Sequence, residues 1–259
     1  MELVLPPDIR LRKLSAADQI VAALRQLILE GTLAPGTPLR EIPLADAFDV
    51  SRTTIRDAVR ALVREGLARH ERHRSAVVAE LTPEDAVDIY LVRRFLELGA
   101  ADHVAAMSVA EVDRVNGAFE RLREVAPTGD WFRVVSADLD FHESIVSLHR
   151  SPRFLRCFGT IKSELAFCLA VIRLHEHEER APDRIIREHD EIRQAVVRGS
   201  VSETRALLAA HISYYQERVT DALTQRIGKD KSHASSDGRH ADPDAARGAV
   251  ARGAGPPAR

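Results

Sequence analysis

Apolar residues recur every three or four positions along most of the chain, a spacing that predicts amphipathic helices rather than strands. In the N-terminal part this repeat predicts three helices, over about residues 15–30, 43–48 and 52–65. Six longer helices are predicted in the rest of the chain, over about residues 82–105, 108–125, 130–149, 151–177, 182–199 and 201–225. Turn residues such as glycine and proline separate most of these segments.

One stretch between these two groups of helices breaks the helical repeat. In residues 67–80 a polar tip, 71–75, precedes a short apolar run, 76–79, which predicts a small β-hairpin. Three helices and a hairpin form the layout of a winged helix-turn-helix. Six further helices without a βαβ pattern or a glycine-rich phosphate loop predict an antiparallel helical bundle. The predicted fold class is therefore mostly α, with an N-terminal winged helix-turn-helix and a C-terminal all-α bundle.

Shifts in composition divide the chain into four segments. Residues 1–13 form an arm that ends in basic side chains, residues 14–80 hold the winged helix-turn-helix, and residues 81–226 hold the helical bundle. In residues 227–259 the only large apolar side chain beyond the first position is Val250. Such a segment buries too little apolar surface to offset the entropy of ordering, so it is predicted to be disordered.

The overall composition narrows the class of protein. With 259 residues and a net charge of −2, the chain creates no strong overall field for a nucleic acid or a membrane surface. Two cysteines, Cys157 and Cys168, and the lack of a secretory-type N-terminus predict a reducing compartment, the cytoplasm. The longest apolar run, residues 166–172, is far shorter than the roughly 20 residues of a membrane helix. No membrane partner is predicted.

A local basic stripe stands out against this nearly neutral background. Residues 51–74 contain seven arginines and three acidic residues. Arg52, Arg56 and Arg60 lie one turn apart, on the face opposite the apolar stripe of their predicted helix. Such a stripe is a candidate phosphate-binding surface, and a solvated face with local ion pairs is the alternative.

Small hydroxyl side chains open the same helix, at Ser51, Thr53 and Thr54. A recognition helix contacts base edges mainly with its N-terminal residues, where hydroxyls bond phosphates and arginine can bridge two acceptors of guanine. The segment is therefore a candidate DNA-reading helix. The alternative is that Ser51 only caps the helix and the arginines only keep it soluble.

Four polar residues lie on the apolar faces of three predicted bundle helices. Asp138 and His142 are one turn apart on one helix, and His189 and His211 lie on two others. Because a buried unpaired carboxylate is costly, three imidazoles and one carboxylate around a divalent cation explain all four together. This donor set suits Zn, Ni or Mn. Taken singly, each residue could also be a satisfied core histidine or part of a buried Asp–Arg pair.

The N-terminal motif is long enough to name a family. Residues 50–62 read V-S-R-T-T-I-R-D-A-V-R-A-L, and E-G-L follows at 65–67. This resembles the DNA-binding domain of the GntR transcriptional regulators, with Thr54 where most members have proline. The resemblance implies DNA contacts by the helix residues and by the wing tip, which lacks the glycine of many members. These residues are Ser51, Arg52, Thr53, Thr54, Arg56, Arg60, Arg72, His73 and Arg74.

The bundle resembles the FCD ligand-binding domain of the FadR subfamily. The resemblance rests on the pattern D-L-D-F-H at 138–142, followed by Glu188-His189 and then His211. The resemblance implies a metal site in the bundle centre, with open coordination for a carboxylate effector. Residues 90–97 resemble the start of that domain, where the first arginine lines the effector pocket, so this role passes to Arg93. The alternative is an Arg93–Glu97 pair on the helix surface.

Together the two resemblances predict a one-component transcriptional repressor. It would bind double-stranded operator DNA as a homodimer, since paired half-sites supply the specificity that one helix lacks, and a small organic acid would control its affinity. Two rival functions remain: a metal-dependent, hydrolase-like enzyme that uses the Asp/His₃ site, and a DNA-binding protein without an effector response. Against the enzyme, Glu188 and Asp190 flank His189 but are expected to point elsewhere, which leaves no general base.

Overall fold

A computed structural model of the protein describes residues 15–71, 75–176 and 182–237. Within these ranges the fold is helical with one two-stranded sheet, which confirms the predicted fold class. The N-terminal elements are α1 (Ala16–Leu29), α2 (Glu41–Phe48), α3 (Arg52–Arg64), β1 (Ala68–Arg69) and β2 (Val77–Val78). The bundle elements are α4 (Pro83–Ala100), α5 (Val109–Val125), α6 (Trp131–Val146), α7 (Pro152–Glu176), α8 (Pro182–Val197) and α9 (Val201–Asp237).

The N-terminal helices pack through the apolar stripes read from the sequence. Ser15 and Asp18 form a reciprocal capping box at the start of α1, which satisfies backbone donors that the helix itself leaves unpaired. Leu24 of α1 and Ile55 and Leu62 of α3 are completely buried where these two helices pack together. The polar face of α3 is therefore left on the outside.

A small sheet completes the winged helix-turn-helix. β1 pairs antiparallel with β2, with Ala68 opposite Val78, and Pro38 forms an isolated bridge to Val77. The backbone N–H of Leu39 donates to the carbonyl of Ala76 at 2.7 Å, so the segment before α2 is tied to the sheet. The predicted wing-tip residues Arg72, His73 and Arg74 and the predicted arm 1–13 lie outside the described residues.

The bundle begins directly after the wing. Thr82 and Asp85 form a capping box at the start of α4, whose first helical residue is Pro83. α6 packs on α4, α5 and α7, so it lies in the interior and its residues are mostly buried. Arg94 of α4 donates to Ser213 of α9 at 2.9 Å.

The last helix extends past the predicted start of the tail. The sequence predicts disorder from residue 227, whereas α9 runs on to Asp237. Residues 227–237 contain no proline, the residue that interrupts a helix most strongly. The remainder of the predicted tail, 238–259, is outside the described part of the chain.

The length and hydropathy of a helix determine whether it could span a membrane. Across the described residues, no helix is both long enough and apolar enough to cross a bilayer.

Candidate nucleic-acid interface and metal centre

The N-terminus of α3 faces outward and carries the predicted reading residues. The Ser51 hydroxyl accepts the backbone N–H of Thr54 at 3.1 Å, so Ser51 is the N-cap of the helix. Arg52 and Thr53 are exposed and Thr54 is half-buried. The cap function of Ser51 is thus present, and it opens a helix whose first turn is accessible to a ligand.

Two of the predicted arginines converge on one carboxylate that sequence reasoning missed. Arg56 donates to Glu41 through Nε at 2.9 Å and through Nη2 at 2.8 Å, and Arg52 Nη2 lies 3.7 Å from Glu41 Oε2. The hydrogen bond from Arg56 is the main reason that the pKa of Glu41 lies below its usual value. Glu41 opens α2 as its first-turn acid, a position that gives no sequence signal for a partner on α3.

An open groove runs beside α3, between this helix, the start of α2 and the wing. Its walls carry four arginines and one glutamate, so its charge suits a polyanion. The lining residues are Leu39, Arg40, Glu41, Ile42, Pro43, Arg52, Arg56, Val59, Arg60, His70, Ser75 and Ala76. Arg60 lies 3.7 Å from Asp57 on its own helix, a loose contact between two exposed side chains.

In the bundle, the structure brings the three predicted histidine ligands together. A nitrogen from each of His142, His189 and His211 lies within 4.8 Å of the others, and all three side chains are buried. The ring of His142 is centred 5.3 Å from that of His189 and 5.0 Å from that of His211. Asp138 is also buried, and its Oδ1 lies 3.0 Å from His189 Nε2.

His189 contacts both the backbone and Asp138. His189 Nδ1 lies 2.8 Å from the carbonyl oxygen of Ile185, which can only accept, so Nδ1 carries a proton. The Nε2 atom faces Asp138 and has no hydrogen bond of good geometry within the described ranges. Burial opposes ionisation of Asp138, but His189 outweighs it and the pKa of Asp138 stays well below its usual value. Either a proton on Nε2 or a metal ion between the two side chains would satisfy this contact.

His142 is oriented by a second carboxylate that the ligand prediction did not include. Its Nδ1 lies 2.7 Å from Glu97 Oε2, and its Nε2 has no hydrogen-bond partner among the described residues. Burial opposes ionisation of Glu97, but Arg93 and His142 offset it and lower its pKa to about 2. The Glu97 carboxylate is therefore ionised and accepts the proton that His142 carries on Nδ1. Burial also lowers the pKa of His142, which keeps its ring neutral.

Arg93 lies in the interior beside this cluster. Its Nε donates to Glu97 Oε1 at 2.7 Å, so the Arg93–Glu97 pair of the alternative interpretation exists. The predicted place of that pair, on the helix surface, is wrong: both side chains are completely buried, because α4 turns this face toward α6. Arg93 Nη1 and Nη2 have no hydrogen-bond partner in the part of the chain that the structure describes.

The expectation for Glu188 is also wrong. It was expected to point away from the cluster, but its Oε2 lies 3.7 Å from His211 Nδ1 and accepts a hydrogen bond from Tyr215 at 3.0 Å. On a helix, neighbouring residues point about 100° apart, so Glu188 faces α9 while His189 faces α6. Burial and the nearby His189 and His142 hold the pKa of His211 well below its usual value, so this ring is neutral too.

A cleft between α8 and α9 reaches His211 from outside. It is lined by Arg184, Glu188, Glu191, Ile192, Leu207, Ala210, His211 and Tyr214. Three imidazoles and one carboxylate thus meet beneath this cleft, and the Nε2 atoms of His142 and His189 are buried there. Such a donor set fits a divalent transition metal.

Family models and relatives agree on both parts of the chain. Residues 16–78 match the model described as bacterial regulatory proteins of the gntR family, and residues 88–214 match the FCD domain. A relative in Paenarthrobacter nicotinovorans, named "Probable D-xylose utilization operon transcriptional repressor", is 31% identical over 163 residues, which are 62% of this chain and 72% of that protein. The chain belongs to the GntR family of transcriptional regulators.

Further matches extend over most of this GntR-family regulator. The gluconate operon transcriptional repressor of Bacillus licheniformis is 30% identical over 190 residues, 72% of this chain and 78% of that protein. A solved structure described as a transcriptional regulator GntR from Rhodococcus sp. RHA1 has a TM-score of 0.67 at 27% identity, over 80% of this chain and 98% of that one.

The family assignment settles the class of activity. α3 lies within the matched DNA-binding domain, so this GntR-family protein is a DNA-binding transcriptional regulator and not an enzyme. Arg93, Asp138, His142, His189 and His211 all fall within the matched FCD domain.

Proposed function

We propose that this regulator binds operator DNA as a homodimer and that a small carboxylate, bound at a metal ion in the bundle, controls its affinity for DNA. The observation that carries the proposal is the set of buried, unsatisfied polar atoms in the bundle. The Nε2 atoms of His142 and His189 and the free edge of the Arg93 guanidinium lie in the interior without a partner among the described residues. Native interiors rarely leave such atoms unsatisfied without a ligand.

The DNA-binding half rests on α3 and its groove. Arg52 and Arg56 are exposed at the start of the helix, where a recognition helix meets base edges. To reach DNA, Arg56 exchanges the carboxylate of Glu41 for a phosphate or a base, both of which accept two parallel hydrogen bonds from arginine. One helix covers few base pairs, so two copies on paired half-sites supply the specificity of an operator.

The sensing half rests on the four predicted ligands. Asp138, His142, His189 and His211 would hold a divalent ion, Zn, Ni or Mn, which when bound supplies positive charge and an open position for a carboxylate. Arg93 would donate from Nη1 and Nη2 to the same carboxylate as a second, charge-assisted contact. Relatives named as repressors support a repressor role, and two of them are named for operons of gluconate, an organic acid.

Two connections could carry the response to the DNA-binding domain. α4 holds Arg93 and is separated from β2 by only four residues, so a shift of this helix would move the wing. Ser163 of α7 donates to Glu65 at 3.4 Å, and Glu65 is also bound by Arg25 of α1 at 2.8 Å. An effector that favours one arrangement of these contacts would change DNA affinity, by a coupling of about 1–3 kcal/mol.

Arg52→Ala tests the reading helix. We expect it to weaken binding to a duplex selected by the wild-type protein from random sequences by about 5- to 150-fold, because one specific base contact is worth about 1–3 kcal/mol. Arg64→Ala, at the exposed far end of the same helix, is the matched control and should bind normally. Equal footprints for wild type and Arg52→Ala would reject α3 as the recognition helix.

The double substitution His142→Ala with His189→Ala tests the metal site. Elemental analysis and native mass spectrometry of the wild-type protein should find about one divalent metal ion per chain in a dimer, and the double variant should hold none. The control His103→Ala, outside the cluster, should keep the metal. Equal metal content in all three proteins would contradict the site.

A further inference from the structure

The most specific feature that the proposed function leaves without a role is Glu97. Its two carboxylate oxygens bind different side chains: Oε1 accepts from Arg93 Nε and Oε2 from His142 Nδ1, each at 2.7 Å. All three side chains are completely buried. We infer that Glu97 is a positioning residue: it fixes the ring of His142 with Nε2 toward the metal and, with its other oxygen, aims Arg93. This inference rests on the proposed metal site.

The contact with Glu97 determines which nitrogen of His142 carries the proton. A neutral imidazole carries one proton, on either nitrogen, and only the other nitrogen can bind a metal. A carboxylate can only accept, so Glu97 selects the form with the proton on Nδ1. This leaves the Nε2 lone pair inside the cluster, within reach of His189 and His211. Metal-binding histidines are commonly oriented by such a partner.

His189 is oriented in the same way, but its acceptor is a backbone carbonyl. Its Nδ1 donates to the carbonyl of Ile185, one turn earlier on its own helix, at 2.8 Å. That oxygen is part of α8 and cannot be removed by substitution. For His142 the equivalent acceptor is a side chain from a different helix, α4, so the orientation of a ligand on α6 depends on how α4 is placed.

The contact with Glu97 also determines which atoms of Arg93 stay available. Because Glu97 holds only Nε, the Nη1 and Nη2 atoms stay available and have no partner within the residues described. One carboxylate therefore sets both the anion-binding edge of Arg93 and the metal-binding atom of His142. A residue that only balanced the charge of Arg93 would need neither the contact with His142 nor its geometry.

Glu97→Gln tests this assignment, with Zn²⁺ alone as the probe. In competition with a chromophoric chelator, the variant should bind Zn²⁺ about 10- to 100-fold more weakly than wild type. Glu111→Gln is the matched control, because Glu111 is another buried carboxylate held by an arginine, Arg150, but it does not contact the histidine cluster. It should bind Zn²⁺ as wild type does. A folded Glu97→Gln protein with wild-type Zn²⁺ affinity overturns the inference.

A second measurement needs no metal. Long-range ¹H–¹⁵N correlation spectra of the metal-free wild-type protein should show His142 with its proton on Nδ1, and Glu97→Gln should show both forms. An unchanged spectrum contradicts the inference, whereas a wild-type protein that binds no Zn²⁺ contradicts the proposed metal site. If Glu97→Gln does not fold, Arg93→Met with Glu97→Gln removes the buried charge pair together. That double variant should also bind Zn²⁺ more weakly, and wild-type affinity in it overturns the assignment.

Discussion

The proposed DNA-reading surface and the centre of the bundle use the same chemical arrangement in opposite surroundings. On the surface, Glu41 lies between Arg52 and Arg56, whose side chains are 61% and 46% exposed. In the bundle, Glu97 lies between Arg93 and His142, and nothing of these side chains is exposed. Water and salt screen the first group, so its partners can be exchanged for a phosphate. The second is held in a medium where losing one partner leaves a buried charge.

The two glutamates therefore have different parts in one regulator. An arginine that contacts DNA must exchange its carboxylate partner in the protein for the DNA. An exposed ion pair permits this exchange because it contributes little to stability. A side chain that must hold a ligand in one geometry needs a partner it cannot leave, and burial supplies that. Each of the predictions below alters one carboxylate–arginine pair and asks whether it behaves as exposed or as buried.

The largest effect is expected from Arg93→Met in metal-free protein. The substitution leaves the Glu97 carboxylate buried with only His142 as a partner, and breaking a buried pair costs about 3–5 kcal/mol. Urea unfolding in the presence of a chelator measures the loss. Arg94→Met, the next residue on α4, is the matched control: this half-buried arginine bonds Ser213 and should cost less than about 1 kcal/mol. Equal losses in the free energy of unfolding for Arg93→Met and Arg94→Met would contradict the distinction between buried and exposed pairs.

Much of both regions could be predicted from sequence because it depends on local spacing. The helical repeat places Asp138 and His142 one turn apart on a buried face, and the structure keeps them there. The cap at Ser51 and the outward face of α3 follow from the same local rules. These features need only one helix at a time, and a period of 3.6 residues specifies which side chains share a face.

What the sequence did not predict depends on contacts between helices. The Arg93–Glu97 pair was the alternative interpretation and was placed on the helix surface, whereas the packing of α4 on α6 buries it. Glu41 meets Arg56 across 15 residues, and Glu97 meets His142 across 45. The orientation of Glu188 toward His211 likewise depends on where α9 lies beside α8. No spacing rule reports such distances, because they are set by tertiary packing.

The ion pair of Glu111 is intermediate in exposure between those of Glu41 and Glu97, and it makes the stability of the protein depend on pH. Its carboxylate is mostly buried, while its partner Arg150 is half exposed and donates at 2.8 and 3.0 Å. The bonds from Arg150 and Ser108 lower the pKa of Glu111 to about 2, against roughly 4.3 in an unfolded chain. The stability from this lowered pKa is complete above about pH 4.3 and is lost as the pH falls toward 2.

Glu111→Gln removes this titration. Between pH 5 and pH 3 the free energy of unfolding of the wild type should therefore fall more steeply than that of the variant. The difference should be about 1 kcal/mol, because solvent at Arg150 screens the pair. Urea unfolding at the two pH values measures it. Parallel losses in both proteins would mean that the pair behaves like a fully exposed one, and the intermediate case would disappear.

The smallest change in stability is expected from Glu41→Gln, and it is the change that bears on DNA. Because this pair is exposed, the free energy of unfolding should move by less than about 1 kcal/mol. Removing the charge frees Arg52 and Arg56 for phosphate, so binding to a non-specific duplex should tighten a few-fold and depend more steeply on salt. Glu203→Gln, an exposed acid at the start of α9, should change neither quantity. If Glu41→Gln instead lowered the free energy of unfolding by several kcal/mol and left DNA binding unchanged, Glu41 would be a structural partner like Glu97. Arg52 and Arg56 would then not exchange Glu41 for DNA.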